Sequence, residues 1–374
     1  MLLFVICLVL RRGGRGIMAK PMRNEASVKL RSRILVVGVG NAGSRIAALV
    51  MKKVPGIKCM AIDSDAKDLN AIEVPYKILI GKRVVQGYGA KGNPEIGEAA
   101  IKESRKHVED FLREADLLFI IAGLGAGTGT GAASVVAEIA RRNGATVVGI
   151  VVTPLKSERE SVGKALKGLA KMRKNCNTVV VIDNNRLVES LPHAPLNETF
   201  RIVNSSLADM VKEIVETVLG SGMINVDFSN FEAIVKDGGV ATVGFGESNA
   251  PNRAEEAVRN ALRNPLFGVS YQDAKGALIH VSGDDHMTIE EVNKVGEIVS
   301  EMMNKNAVVT WGARVNPNLA GMLRVTLMMT GVRSLHLPSG VETMTRQIYN
   351  IDPYPELGKG LKIDLGLDQI EGLE

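Results

Sequence analysis

Two glycine-rich turns, each framed by a run of apolar β-formers and a stretch of helical spacing, restrict this chain more than anything else in it. The first is Gly38-Val39-Gly40-Asn41-Ala42-Gly43, which closes the run Ile34 to Gly38 and precedes Ser44 to Lys53, where Ile46, Leu49 and Val50 fall at helical spacing. A buried parallel strand, a glycine turn and a helix N-terminus in that order offer free backbone N–H groups and a positive dipole end to a phosphate. A second strand, Lys58 to Ile62, ends in Asp63-Ser64-Asp65. An acid about 20 residues beyond the glycines is what a dinucleotide fold uses to hold a ribose. Taken alone, this stretch reads as a NAD-dependent dehydrogenase, or as a structural turn in some other α/β protein.

The second turn decides against the dinucleotide. Ala115 to Ile121 is a further buried strand that runs into Gly123-Leu124-Gly125-Ala126-Gly127-Thr128-Gly129-Thr130-Gly131, followed by a helix from Ala132 to Arg142. Five glycines at alternate positions with two threonine hydroxyls make a concavity of N–H and O–H donors. A dinucleotide needs one such turn for its single pyrophosphate, whereas two on neighbouring strands suit a mononucleotide with a longer phosphate chain. No Gly-Lys-Ser/Thr stands at P-loop spacing, which excludes a P-loop NTPase.

Composition narrows the class further. The 374 residues suffice for two or three domains, and 45% hydrophobic with 23% charged residues describe a globular chain. The formal charge of +5 is uneven: eight Lys/Arg against Glu25 fall within residues 1–33, so the remainder carries about −2. A near-neutral body with only 4% aromatics argues against nucleic acid as a partner. Cys7, Cys59 and Cys176 lie far apart and the five His form no HxxxH pattern, which excludes a disulfide framework and a His- or Cys-ligated metal. Leu2 to Leu10 is an unbroken apolar run, too short for the ~20 residues of a spanning helix, and its charges follow it instead of preceding it. Met18-Ala19-Lys20 opens a polar stretch, so Met18 is read as the start, with a peripheral anchor or a signal as the other readings and no transmembrane segment.

Gly125 to Gly131 reads GAGTGTG, which resembles the tubulin-type signature GGGTGTG of the FtsZ family. The likeness extends over about residues 33–335, through Asn93-Pro94-Glu95-Ile96-Gly97, Gly222 to Phe228, Gly239 to Ser248, Ala277 to Val281 and Thr310 to Ala313. The wording is most similar to archaeal members. The resemblance implies an α/β fold with a Rossmann-like parallel-sheet GTPase domain, a long central helix and a second, smaller α/β domain. It implies a GTP-binding cytoplasmic protein that assembles head-to-tail with itself into filaments, most often at the division site, with Mg2+ carried on the nucleotide phosphates. The expected domains are a basic arm (1–32), a GTP-binding domain (33–220) ending in a helix over 196–219, a catalytic loop and helix (221–237), a C-terminal domain (238–337) and a tail (338–374).

Residue by residue, the resemblance places Gly40, Asn41, Ala42, Gly43 and Ser44 at the first phosphate turn and Gly125, Gly127, Thr128, Gly129 and Thr130 at the main one. Asp63, Asp65, Gly89 and Asn93 match further phosphate-side loops, Glu158 the ribose-binding acid, Asn184 and Asn204 the guanine-reading amides, and Phe200 the ring that stacks on the base. The chemistry agrees: an amide offers both a donor and an acceptor edge, and Phe200 and Asn204, four apart, share one helix face. Three positions depart from the family. Lys91 stands where it usually has Gly, Ala126 replaces the middle Gly of the signature, and Val162 falls on the ribose-side Arg, with Arg159 nearby. Ala126 is tolerable only at negative φ.

The hydrolytic loop departs most tellingly. The family pattern is Asn-x-Asp-x-x-Asp/Glu, inserted from a neighbouring subunit; here it is Asn225-Val226-Asp227-Phe228-Ser229-Asn230. An amide is nearly isosteric with the acid but takes no proton from water, and loss of a positioned acid–base group costs ~10²–10⁴ in rate. Glu232 is a poor substitute, because two residues on in a helix is about 200° around the axis. Asp227 is the one acid left and the expected N-cap of its helix. The expectation is GTP binding and polymerisation with slow hydrolysis, or a weakly hydrolysing paralogue that regulates another filament. The second domain reads as strands (240–244, 277–281, 307–313, 322–330) and helices, one opened by a capping box at Thr288-Ile289-Glu290-Glu291. Leu361 to Leu373 mixes apolar and acidic residues, which suits docking of a membrane-anchoring adaptor or a paralogue.

Overall fold

Runs of consecutive apolar residues mark strands covered on both faces, and β1 (Ile34–Val39), β4 (Leu117–Gly123) and β5 (Thr146–Thr153) are buried along nearly their whole length. The computed structural model describes residues 33–189, 195–219, 223–224, 226–236, 238–263, 269–270 and 274–334. The expected basic arm, Met18, Asn225, Gly222 and the tail from 338 lie outside the described residues. With β2 (Lys58–Asp63), β3 (Tyr76–Leu79) and β6 (Thr178–Asp183), these strands pair in parallel in the order β3-β2-β1-β4-β5-β6. That order reverses direction between β1 and β4, and a doubly wound sheet opens its ligand crevice at the carboxyl ends of the strands at such a point.

Helices cover both faces of the sheet. On one side lie α3 (Pro94–Glu103), α4 (Arg105–Leu112), α5 (Thr128–Arg142) and α6 (Arg159–Asn175); on the other lie α1 (Gly40–Lys53) and α8 (Leu196–Leu219). Two short helices, α2 (Ala66–Asn70) and α7 (Asn184–Glu189), follow β2 and β6. The 24 residues of α8 form a rod about 36 Å long. It is tied to α1 by an ion pair from Lys53 Nζ to Asp209 Oδ1 (2.6 Å) and a hydrogen bond from the same ammonium to Ser205 Oγ (2.8 Å).

Beyond α8, Ile224 forms an antiparallel bridge with Ala313, and α9 (Phe228–Val235) buries Phe231, Ile234 and Val235. Threonine hydroxyls hold it from the sheet: Thr330 donates to Ile234 O (2.9 Å), Thr178 to Val235 O (2.6 Å) and Thr146 to Glu232 Oε1 (3.2 Å). The chain then enters β7 (Gly239–Ser248), whose first three residues pair in parallel with β6. The rest of β7 pairs with β11 (Leu323–Thr330), which continues to β9 (Gly276–Gly283) and β10 (Val308–Val315), so ten strands form one sheet. The helices α10 (Arg253–Arg263) and α11 (Ile289–Met302) pack on this second part, and β8 (Val269–Ser270) pairs with β12 (Arg333–Ser334). The capping box that opens α11 is formed, with Glu291 N donating to Thr288 Oγ1 and Thr288 N to Glu291 Oε2.

Between α8 and the second part of the sheet lies a polar cluster in which Glu213 and His280 are buried and Arg324 and Glu247 half-buried. Arg324 reaches Glu213 Oε1 (3.4 Å) and Glu247 Oε1 (2.6 Å), while His280 Nε2 lies 3.3 Å from Glu213 Oε2 and 2.9 Å from Ser282 Oγ. Burial pushes the His280 imidazole down to about 4 and the Glu213 carboxyl up. Burial likewise pushes the Cys59 and Cys176 thiols up to about 12, so neither is a nucleophile.

Two helices begin earlier than the periodicity predicts. The helix after the first turn starts at Gly40 instead of Ser44, and that after the second at Thr128 instead of Ala132. The cause is packing: a Cβ on Gly43 would run into the Ile121 carbonyl, and one on Gly129 into that of Gly123. Those glycines are the first helical turns themselves, stripped of side chains so that the helices seat against the strand ends.

Candidate functional site

A cleft of about 1320 Å³ opens at the switch point, where both glycine turns meet. Its wall includes Gly40, Asn41 and Ala42 from the first turn and Gly125, Gly127, Thr128 and Gly129 from the second. Asp63, Asp65 and Gly89 border it on one side; Glu158, Asn184, Phe200 and Asn204 border it on the other. Fourteen of the positions expected from the sequence therefore converge on one cavity, although they span residues 40 to 204.

Four expected positions stand behind that wall. Gly43 and Ser44 are buried in α1, and Ser44 Oγ donates back to Gly38 O (3.2 Å), so it stiffens the turn. Asn93 caps α3, accepting from Glu95 N (2.8 Å) and Ile96 N (3.4 Å). Thr130 Oγ1 accepts from Gly125 N at 2.8 Å, which pins the one glycine of the second turn at positive φ, +109°. Ala126 is exposed and keeps a negative φ, so its methyl is accommodated.

The carboxylates have distinct tasks. Asp63 is 3% exposed and accepts from Ser64 N (2.7 Å) and Asp65 N (3.2 Å); burial nonetheless pushes its carboxyl up. Asp65 Oδ1 caps α2 through Lys67 N and Asp68 N. Ser64 and Thr128 share a 2.6 Å hydrogen bond that ties the end of β2 to the second turn. Glu158 Oε1 accepts from Leu155 N (3.3 Å) at the start of α6. Ser161 borders the cleft on that helix; Val162 and Arg159 do not. Phe200 is 40% exposed on the rim, open to a stacking partner, and Asn204 lies one helical turn further along α8.

Sequence reasoning missed Arg45 and Tyr88, which also border the cleft. Arg45 Nε donates to Asn41 Oδ1 at 2.6 Å, an i,i+4 pair that exists because α1 begins at Gly40. Tyr88 is 73% exposed and bridges to Asp65.

The hydrolytic loop lies elsewhere. Asp227 and Asn230 are exposed at the start of α9, after the end of α8. Leu219 lies nineteen positions along α8 from Phe200, about 28 Å along the axis, so neither side chain reaches the cleft of its own chain. Asp227 occupies the N-cap position but, against expectation, makes no capping hydrogen bond. Its carboxylate is left open because Asn230 N and Phe231 N bond to its backbone oxygen instead. Glu232 is turned into the body toward Thr146, away from the loop.

A doubly wound sheet with two glycine turns at its switch point, joined through a long helix to a second α/β unit, defines a nucleotide-binding protein of the tubulin-like class. Residues 33–192 match the model of the Tubulin/FtsZ family, GTPase domain, and residues 239–333 that of the FtsZ family, C-terminal domain. The chain is 42% identical to cell division protein FtsZ 2 of Methanocaldococcus jannaschii over 85% of its own length and 84% of that relative. It is 42% identical to cell division protein FtsZ 1 of Thermococcus kodakarensis over 82% of each. Among solved structures, an empty FtsZ dimer from M. jannaschii superposes with a TM-score of 0.78 at 41% identity, covering 84% of this chain and 93% of that one. A GTPγS-bound protofilament of CetZ2 from Haloferax volcanii shares the fold, with a TM-score of 0.69 at 22% identity over 84% of this chain and 98% of that one. The chain belongs to the FtsZ family, and the dehydrogenase reading of the first turn falls with that membership.

Proposed function

We propose that this chain binds GTP in the switch-point cleft and polymerises head-to-tail into a cytoskeletal filament of the cell-division type. In this reading the phosphates lie on the N–H groups of the two glycine turns, at the dipole ends of α1 and α5. Phe200 stacks on the base while Asn204 and Asn184 read its edge. Mg2+ would enter with the phosphates, keep most of its water, and neutralise charge on the phosphate oxygens. The residues present fit that arrangement, since the carboxylates of Asp63 and Asp65 border the cleft.

The observation that carries the reading is the free, exposed carboxylate of Asp227 at the far end of α8 from the cleft. An acid so placed can act on a nucleotide only in another copy. At such a joint it orients a water molecule and takes its proton as the water oxygen attacks the terminal phosphorus; the bond to the bridging oxygen breaks and GDP leaves. Asn230 stands beside it with an amide that accepts no proton, so turnover is slow. Restoring the acid with Asn230→Asp is expected to raise phosphate release by ~10²-fold or more without changing the amount of protein that sediments with GTP. No acceleration would remove Asn230 as the cause. The exposed amide also favours a second reading, a GTP-bound paralogue that co-assembles with a more active filament protein; sedimentation with GTP in the absence of any partner distinguishes the two. A membrane-anchoring adaptor docking on residues 338–374 remains part of this proposal.

A further inference from the structure

Gly312 lies inside β10, the edge strand of the sheet, opposite His280 of β9. It is buried, and its φ is not positive, so the backbone there is one that any residue adopts. A glycine in a strand interior gives up side-chain packing and marks a place where another backbone comes close. The neighbours identify that backbone. A Cβ on Gly312 would stand 3.1 Å from Ile224 O, 3.2 Å from Val226 Cγ2 and 3.5 Å from Thr217 Cγ2. The first two belong to the segment that leads into Asp227, and the third to the last turn of α8.

The same strand fastens that segment. Ile224 N donates to Ala313 O (3.1 Å) and Ala313 N to Ile224 O (3.0 Å), the paired bonds of an antiparallel bridge. Val226 is 3% exposed, one residue before the exposed Asp227. Arg314, two residues beyond Gly312 and so on the same face of β10, pairs with Glu216 Oε2 of α8 at 2.7 Å. The chain leaving α8 is thus held on β10 by a bridge and a buried valine, and the missing side chain of Gly312 leaves room for both.

Resting on the function proposed above, we infer that Gly312 is a positioning residue for GTP hydrolysis. By carrying no side chain it lets residues 224–226 lie close on β10, and so sets where the Asp227 carboxylate meets the nucleotide of the next copy. A methyl group at Gly312 moves that segment by a few tenths of an ångström. Misplacement of a catalytic group by about 1 Å costs ~10²-fold in rate.

The test compares the full-length wild type with Gly312→Ala and Gly312→Val. Three quantities are measured: displacement of a fluorescent GDP by GTPγS, the fraction that sediments with GTPγS, and phosphate released from GTP per sedimented copy. Gly312→Ala is expected to leave the first two within about twofold and to lower the third about tenfold; the bulkier Gly312→Val lowers it further. Mixing separates positioning from a general loss of stability. A Gly129→Ala chain, whose Cβ would strike the Gly123 carbonyl, has a defective cleft and an intact Asp227. Gly312→Ala mixed with it regains phosphate release, because its sound cleft meets a well-placed acid; mixed with Asp227→Ala it does not. Release at the wild-type rate, lost nucleotide affinity or sedimentation in Gly312→Ala, or no recovery with Gly129→Ala each overturns the inference and leaves the proposed function standing. Failure of the wild type to sediment or to release phosphate with GTP overturns the function itself.

Discussion

Among single residues, His280 has a measurable signature of its burial. Its imidazole faces Glu213 and Ser282, with Glu216, Lys212, Arg314 and Arg324 close enough to act on it, and desolvation holds it neutral down to about pH 4 against a usual 6.5. The unfolded chain therefore takes up a proton as pH falls through 6.5 and the native chain does not, so stability falls with pH in that window. Between pH 7.5 and 5.5 the wild type is expected to lose about 1.4 kcal/mol more than His280→Gln, read from urea midpoints at each pH. The raised Glu213 carboxyl works in the opposite direction: its native state keeps a proton longer and gains stability as pH falls. Comparing the two proteins separates the terms, and equal losses would show that the imidazole is protonated in the native state. Asn230 belongs to the same scale, since one amide in place of an acid changes the charge beside Asp227 while leaving α9 in place.

At the level of elements, α9 is placed by its far end. Thr330, fully buried in β11, donates to Ile234 O, and replacing it with its isostere valine leaves that carbonyl without the bond. Thr330→Val is expected to cost about 1–3 kcal/mol in urea unfolding. GTP affinity should be unchanged, because the cleft is remote, while phosphate release falls because the N-terminus of α9 carries Asp227. Lost nucleotide affinity would mean that the two ends of the molecule are not separable. Helix α8 forms over the 196–219 that the resemblance to the family led to expect. The starts of α1 and α5 were not legible, because glycines at the head of a helix look like turn residues until close packing on Ile121 and Gly123 is known. Most of the cleft was legible through the glycine and amide motifs. Arg45 was hidden by the misplaced start of α1, and Tyr88 by a loop with no periodicity to read.

For the whole molecule, the separation of cleft and acid predicts complementation. A chain with Gly129→Ala, whose Cβ would strike the Gly123 carbonyl, lacks a working cleft but keeps Asp227. A chain with Asp227→Ala keeps the cleft and lacks the acid. Neither is expected to release phosphate alone, and a mixture should, because the cleft of one can meet the carboxylate of the other. An inactive mixture of two folded proteins that sediment together would contradict a shared active site.

The rigid rod between these two ends has a numerical consequence. If a row of n copies contains n − 1 complete joints, a lone copy has none, a pair has half a joint per copy, and a long row approaches one. The rate per copy then measures row length: it should start near zero on dilution, climb steeply over a narrow range of protein concentration and level off. In the head-to-tail assembly proposed above, the nucleotide of the copy at one extremity is met by no acid, and each row is expected to end in a triphosphate-loaded tip whose lifetime is set by exchange with solution instead of by hydrolysis.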